Sequence, residues 1–272
     1  MKSALGNTVK LCAALAFLIW LIGSESLYAQ SRSEDFTQLE HALEKIVEKG
    51  GVDAVGIAVV DTDGSSWVRG FGSIQKHPLR KASEDTLFRI GSVSKIFIGL
   101  AILKLQEEGR LSLNDAISDL VPDIEFKNKW KSSHPILVAH LLEHTTGWDD
   151  FQGPEWLLQD SSISLKDALD FHPHSRRSRW IPGTRFAYSN VGPSVAAYIV
   201  EKLSGQTFEK YAQTNFFDVL GMEGATYFLM RAWLLKIISI FACGRLGVSM
   251  LRPMICCRFL NSSLIEESVL NR

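Results

Sequence analysis

Three things are scarce in these 272 residues, and each scarcity closes off a class of protein. Cysteine is limited to Cys12, Cys243, Cys256 and Cys257, so no disulfide framework staples the middle of the chain. An excess of one charge is missing too: 29 Lys and Arg stand against 30 Asp and Glu, a net charge of −1 that gives no electrostatic basis for binding nucleic acid. Finally, no apolar run approaches the roughly 20 residues a membrane-spanning helix needs. The apolar run near the start, Leu11–Ile22, follows Lys2 and Lys10 and precedes Leu27-Tyr28-Ala29, which reads as a secretory signal peptide over residues 1–29. The chain is therefore expected to be exported, periplasmic or extracellular, with no stable span after cleavage; an uncleaved signal would leave it anchored. With 46% apolar residues, the chain can bury a sizeable core.

Against that background, Ser92-Val93-Ser94-Lys95 stands out, lying between Phe88-Arg89-Ile90-Gly91 and the apolar run Ile96–Leu105. Residues three apart share a helix face, which puts the Lys95 amine within hydrogen-bonding reach of the Ser92 hydroxyl. Apolar walls at Ile96, Phe97 and Ile98 would favour an uncharged amine able to take the serine proton. The first turn of a helix also offers unpaired N–H groups and the positive dipole end to a developing oxyanion. A second Ser-x-x-Lys, Ser73-Ile74-Gln75-Lys76, comes after a predicted strand and runs into His77-Pro78, where no helix is expected; it reads as a chance match.

A second element lies about a hundred residues on. Trp180-Ile181-Pro182-Gly183 opens a turn-rich loop that carries Tyr188-Ser189-Asn190 and continues into Val191-Gly192-Pro193. The order Phe-x-x-Gly-Ser-x-x-Lys, Leu141-Leu142-x-His144-Thr145-Thr146-Gly147, Pro182-Gly183-x-x-Phe186-x-Tyr188-Ser189-Asn190-x-Gly192 and Leu220-Gly221-Met222 resembles the class C β-lactamase and D-Ala-D-Ala carboxypeptidase family of serine hydrolases, from Asp35 to Phe228. The resemblance implies that Ser92 is the acylated nucleophile, Lys95 its activating partner, Tyr188 the general base or acid, and Asn190 a contact for the substrate amide. The Ser92 N–H would form half of the oxyanion hole. His144, in the family's His-Thr-Ser-Gly-like turn, reads as a helix-ending loop residue with a structural role. No cofactor or metal is implied: His172-Pro173-His174 has no carboxylate–histidine constellation beside it to support ligation. The expected partner is a small molecule or peptide.

The fold implied is α/β (α+β), β-lactamase/transpeptidase-like: an antiparallel sheet flanked by helices, with an all-α lobe. Periodicity places a helix over Asp35–Lys49, a hairpin of Val55–Val60 and Ser66–Phe71 around Asp61–Gly64, a buried helix over Ser92–Glu108 forming the central core helix, and helices over Val191–Leu203 and Phe208–Leu220. The domain is expected to run from residue 30 to 228. After Phe228 the composition changes: residues 229–272 hold three of the four cysteines and no Asp or His. The Lys-Thr-Gly or His-x-Gly strand that the family supplies does not occur after Asn190. This predicts missing C-terminal sheet strands, from a frameshift or alternative transcript after Phe228, or else a genuine tail with an amphipathic helix over Leu229–Ala242. Two functions are compatible with these readings: a serine hydrolase acting on a β-lactam, a D-amino-acid peptide or a small ester, or an inactive or truncated member with a binding role or none.

Overall fold

A computed structural model of the chain describes residues 36–60, 66–75, 77–152, 163–171, 173–227 and 241–242. The expected signal peptide, the turn at Asp61–Gly64, Lys76, His172 and most of the segment 229–272 lie outside them.

These residues fall into two compact units, one containing 36–55 and 71–82, the other 56–70 and 83–242. In the first, helix α1 is described over residues 36–49, within its predicted span, and gives way to a turn at Gly50, with Val47 buried. Its loops are tied by hydrogen bonds from the Ser73 N–H to the Asp53 carbonyl (2.7 Å) and from the Ala82 N–H to the Gly72 carbonyl (3.0 Å). The expected hairpin is present as β1 (Ala54–Val60) and β2 (Ser66–Gln75), and a short β3 (Arg80–Lys81) completes a sheet of order β1-β2-β3. β3 runs antiparallel to β2, with Ser73 opposite Lys81 and Gln75 opposite Arg80. A separate antiparallel pair joins β4 (Phe88–Arg89) to β5 (Phe241–Ala242). The helix anticipated as one alternative over Leu229–Ala242 is therefore corrected at its end, where the backbone is extended and paired with another strand.

The second unit holds the helices: α2 (Lys95–Glu107), α3 (Ile117–Leu120), α4 (Val138–Leu142), α5 (Leu165–Asp170), α6 (Val191–Ser204) and α7 (Phe208–Ala212), the last continuing through a wider turn at Gln213–Phe217. Their boundaries have local causes. Ser164 and Thr207 accept the backbone N–H groups of Asp167 and Lys210, capping α5 and α7. Gly205, at φ 72°, closes α6 by donating to the Glu201 carbonyl.

Every residue of α6 from Val191 to Val200 is buried, and this helix packs against α2, α4, α5 and α7. Gly192 permits the closest approach, since a Cβ there would stand 2.9 Å from the Leu141 carbonyl oxygen of α4. The central core helix is thus α6, which corrects the expectation for the nucleophile helix. α2 buries Phe97, Ile98, Ala101, Ile102 and Leu105 on one face, whereas Ile96, Leu100 and Leu103 on the other remain 42%, 39% and 45% exposed. All-round apolarity signals a helix meant for two-sided burial, and α2 has that composition while only one face is packed.

Candidate active site

The positive φ of Gly91 (54°) turns the chain out of β4 into a tight helical turn, Gly91–Ser94, that leads directly into α2. Ser92 sits in this turn and is exposed, three residues before the helix proper, while Lys95 opens α2. Lys95 Nζ donates to Ser92 Oγ at 2.9 Å, the contact that the three-residue spacing anticipates. Of the three predicted apolar walls, Phe97 and Ile98 are buried and Ile96 faces out. Tyr188 arrives from the distant loop with its Oη 2.7 Å from Ser92 Oγ, and Lys95 Nζ lies 5.2 Å from the centre of its ring. One hydroxyl oxygen therefore meets both an amine and a phenol.

What carries Tyr188 into place is a seam between two loops. The Arg179, Gly183 and Ala187 N–H groups donate to the carbonyls of Gly147, Thr145 and His144 at 3.0, 2.9 and 2.8 Å. The Ser178 hydroxyl adds a bond to the Thr146 carbonyl, and the Ser189 hydroxyl one to the Asp149 carbonyl, each 2.8 Å. Loops whose backbone polar groups satisfy one another in this way hold a fixed shape despite lacking regular structure.

Asn190 stands at the N-terminal end of α6 and is held by Asp150. It is buried, and it makes no hydrogen bond to Ser92, Lys95 or Tyr188; its side-chain amide donates to Asp150 Oδ2 at 3.0 Å and Oδ1 at 3.2 Å, while its backbone N–H donates to Oδ1 at 2.8 Å. Its own Oδ1 is buried with no hydrogen-bond partner among the described residues. His144 closes α4 as expected of a loop residue, but its ring lies against Tyr188, with centroids 4.5 Å apart and planes at 35°. Burial, and secondarily the Lys95 charge, hold its imidazole below the ordinary histidine range.

Two further groups support the site without any signal in the sequence. Asp150 clamps Asn190, and Tyr227, itself buried, donates its phenolic O–H to the Ser94 carbonyl at 2.9 Å, fastening the nucleophile turn from behind. Tyr227 is in turn packed by Phe217 and Phe208, at 5.8 and 5.3 Å between ring centres. Of the His172-Pro173-His174 segment, His174 lines a surface cleft with Glu125, Lys127, Pro173 and Arg177.

A serine and a lysine at the head of a helix meeting a loop-borne tyrosine, in a chain with a small antiparallel sheet and a helical lobe, define the fold of a serine hydrolase. More particularly, the chain belongs to the Beta-lactamase family, whose pattern its residues 39–232 match. It is 30% identical over 194 residues to Protein flp of Staphylococcus aureus (strain NCTC 8325 / PS 47), a stretch covering 70% of this chain and 38% of that protein. Among solved structures it is similar to the octameric penicillin-binding protein homologue from Pyrococcus abyssi, at 28% identity and a TM-score of 0.63, over 72% of this chain and 45% of the other. It is also similar to the D-amino acid amidase from Ochrobactrum anthropi SV3, at 26% identity and a TM-score of 0.57, over 68% and 49%. The chain thus spans less than half the length of each of these three proteins.

Proposed function

We propose that the protein hydrolyses an amide or ester through an acyl-enzyme on Ser92, with a β-lactam, a D-amino-acid amide or peptide, or a small ester as substrate. The observation that carries the reading is the double contact on Ser92 Oγ, to Lys95 Nζ at 2.9 Å and to Tyr188 Oη at 2.7 Å. In the step this supports, Oγ bonds to the carbonyl carbon while its proton passes to Tyr188 Oη, and the tyrosine's own proton goes to the leaving nitrogen or oxygen. The bond to the leaving group then breaks, and water, losing its proton along the same route, releases the acid and restores the serine hydroxyl. Lys95 donates to Oγ as its proton leaves on attack and again as Oγ departs from the acyl carbon, the two moments at which the serine oxygen carries partial negative charge. The Ser92 N–H serves the oxyanion, and Asn190 Oδ1, the unpaired buried acceptor, suits a substrate N–H. The signal-like pattern over residues 1–29 supports export as part of this proposal.

A fluorophosphonate, which phosphonylates activated serines with loss of fluoride, tests the assignment. Wild-type chain is expected to become labelled, Ser92→Ala to lose the label, and Ser73→Ala to keep it; label surviving Ser92→Ala would place the nucleophile elsewhere. A second reading, an inactive member with a binding role, draws on a sequence in which no Lys-Thr-Gly motif follows Asn190 and on the exposed face of α2. Loss of one oxyanion donor slows such reactions about 100- to 1,000-fold, so labelling that fails entirely while the chain is folded favours that alternative.

A further inference from the structure

His144 occupies the left-handed region at φ 57°, a conformation that for a residue with a side chain needs outside support. The support comes from the Tyr188 loop: the Ala187 N–H donates to the His144 carbonyl at 2.8 Å, and the Ser189 N–H points at its Nδ1 from 3.4 Å. This backbone lays the imidazole along the Tyr188 ring at 4.5 Å and sets the Phe186 ring edge-on to it at 5.9 Å. The titratable or charged groups that face it are Lys95 from α2, Asp150 from the loop after α4, and Tyr188 itself. An imidazole held below the ordinary histidine range is uncharged at neutral pH. In that state Nδ1 can accept the Ser189 N–H, and the proton sits on Nε2.

We propose that His144 is a positioning residue for Tyr188: the uncharged imidazole holds the phenol in line with Ser92 Oγ, and its protonation in acid releases that hold. The proposal rests on Tyr188 as the proton relay to Ser92. Protonation turns Nδ1 from acceptor to donor, so it opposes the Ser189 N–H instead of receiving it, and it sets a second positive charge beside Lys95. Both changes act on the residue immediately following Tyr188 or on the amine lying against its ring. A relay whose two oxygens sit 2.7 Å apart is sensitive to displacements of a fraction of an ångström.

The test uses the full chain and the rate of Ser92 labelling by the fluorophosphonate between about pH 4.5 and 8. Wild type is expected to lose rate through a single ionisation below the ordinary histidine range. His144→Asn tolerates the positive φ and retains an acceptor oxygen, but has neither the ring nor the ionisation. It is expected to label about tenfold more slowly at neutral pH and to lack the acid limb. An unchanged acid limb in His144→Asn overturns the proposal. The imidazole C–H resonance of His144 gives a second measurement that needs no reactivity: its titration midpoint is expected to rise in Lys95→Met and to move in Tyr188→Phe. If the wild type is never labelled, the hydrolase reading fails and the resonance decides the inference alone; a midpoint indifferent to both substitutions overturns it.

Discussion

Asp150 accepts three hydrogen bonds from one neighbour, two from the Asn190 side-chain amide and one from its backbone N–H. Asn190 stands at the head of the 14-residue α6, so the carboxylate also meets the positive end of that helix's dipole. Removing it with Asp150→Ala leaves a buried amide and a buried N–H unpaired, which is expected to lower the unfolding free energy by about 1–3 kcal/mol. Urea midpoints measure this, and a midpoint equal to wild type would mean that water replaces the carboxylate without loss. The residues legible in the sequence at this scale are those with a spacing or a motif behind them. Ser92 and Lys95 are linked by one turn of helix, and Tyr188 and Asn190 by the order of turn residues around them. Asp150 sits in a Trp-Asp-Asp stretch with no periodicity, 40 positions from its partner, and the ring contact of His144 depends on the same pairing of two irregular loops.

Between elements, the joint of α6 and α7 contains a carboxyl displaced from its ordinary range. Glu201 Oε1 accepts the Phe208 N–H at the head of α7 at 2.8 Å. Burial, with the neighbouring Glu209 charge adding to it, pushes its carboxyl from 4.5 up to about 7. The folded state therefore holds a proton that the unfolded chain releases above its ordinary value. The resulting stability is fully present below pH 4.5 and is lost as pH rises through about 7. Glu201→Gln keeps the acceptor and removes the ionisation, so its urea midpoint is expected to decline less than wild type's across that window; parallel declines would show that Glu201 titrates normally. Of the long helices at this scale, α1 follows the apolar period, whereas α2 is legible as a continuous apolar run. The four- to six-residue helices α3 to α5 and the two-residue strands β3 to β5 are too short to leave a period, and they form because tertiary neighbours complete them.

Among the described residues, α6 is enclosed over its first ten residues and α2 is open on one face. Ile96, Leu100 and Leu103 recur along the outer side of α2, and a net charge of −1 gives little repulsion between copies. Concentration-dependent self-association is the expected behaviour. Leu100→Lys should weaken it in sedimentation velocity while moving stability by no more than about 0.5 kcal/mol; association unaffected by that change would have to arise elsewhere. Composition alone could not separate α2 from α6, since both are apolar enough for burial and only the packed structure shows which one is enclosed. The Tyr227 hydroxyl, finally, fastens the Ser94 carbonyl from 133 positions further along the chain. During synthesis the nucleophile leaves the ribosome long before the residue that braces it, so the turn bearing Ser92 stays slack until Tyr227 has emerged, and any nascent fragment ending earlier carries the reactive serine without its brace.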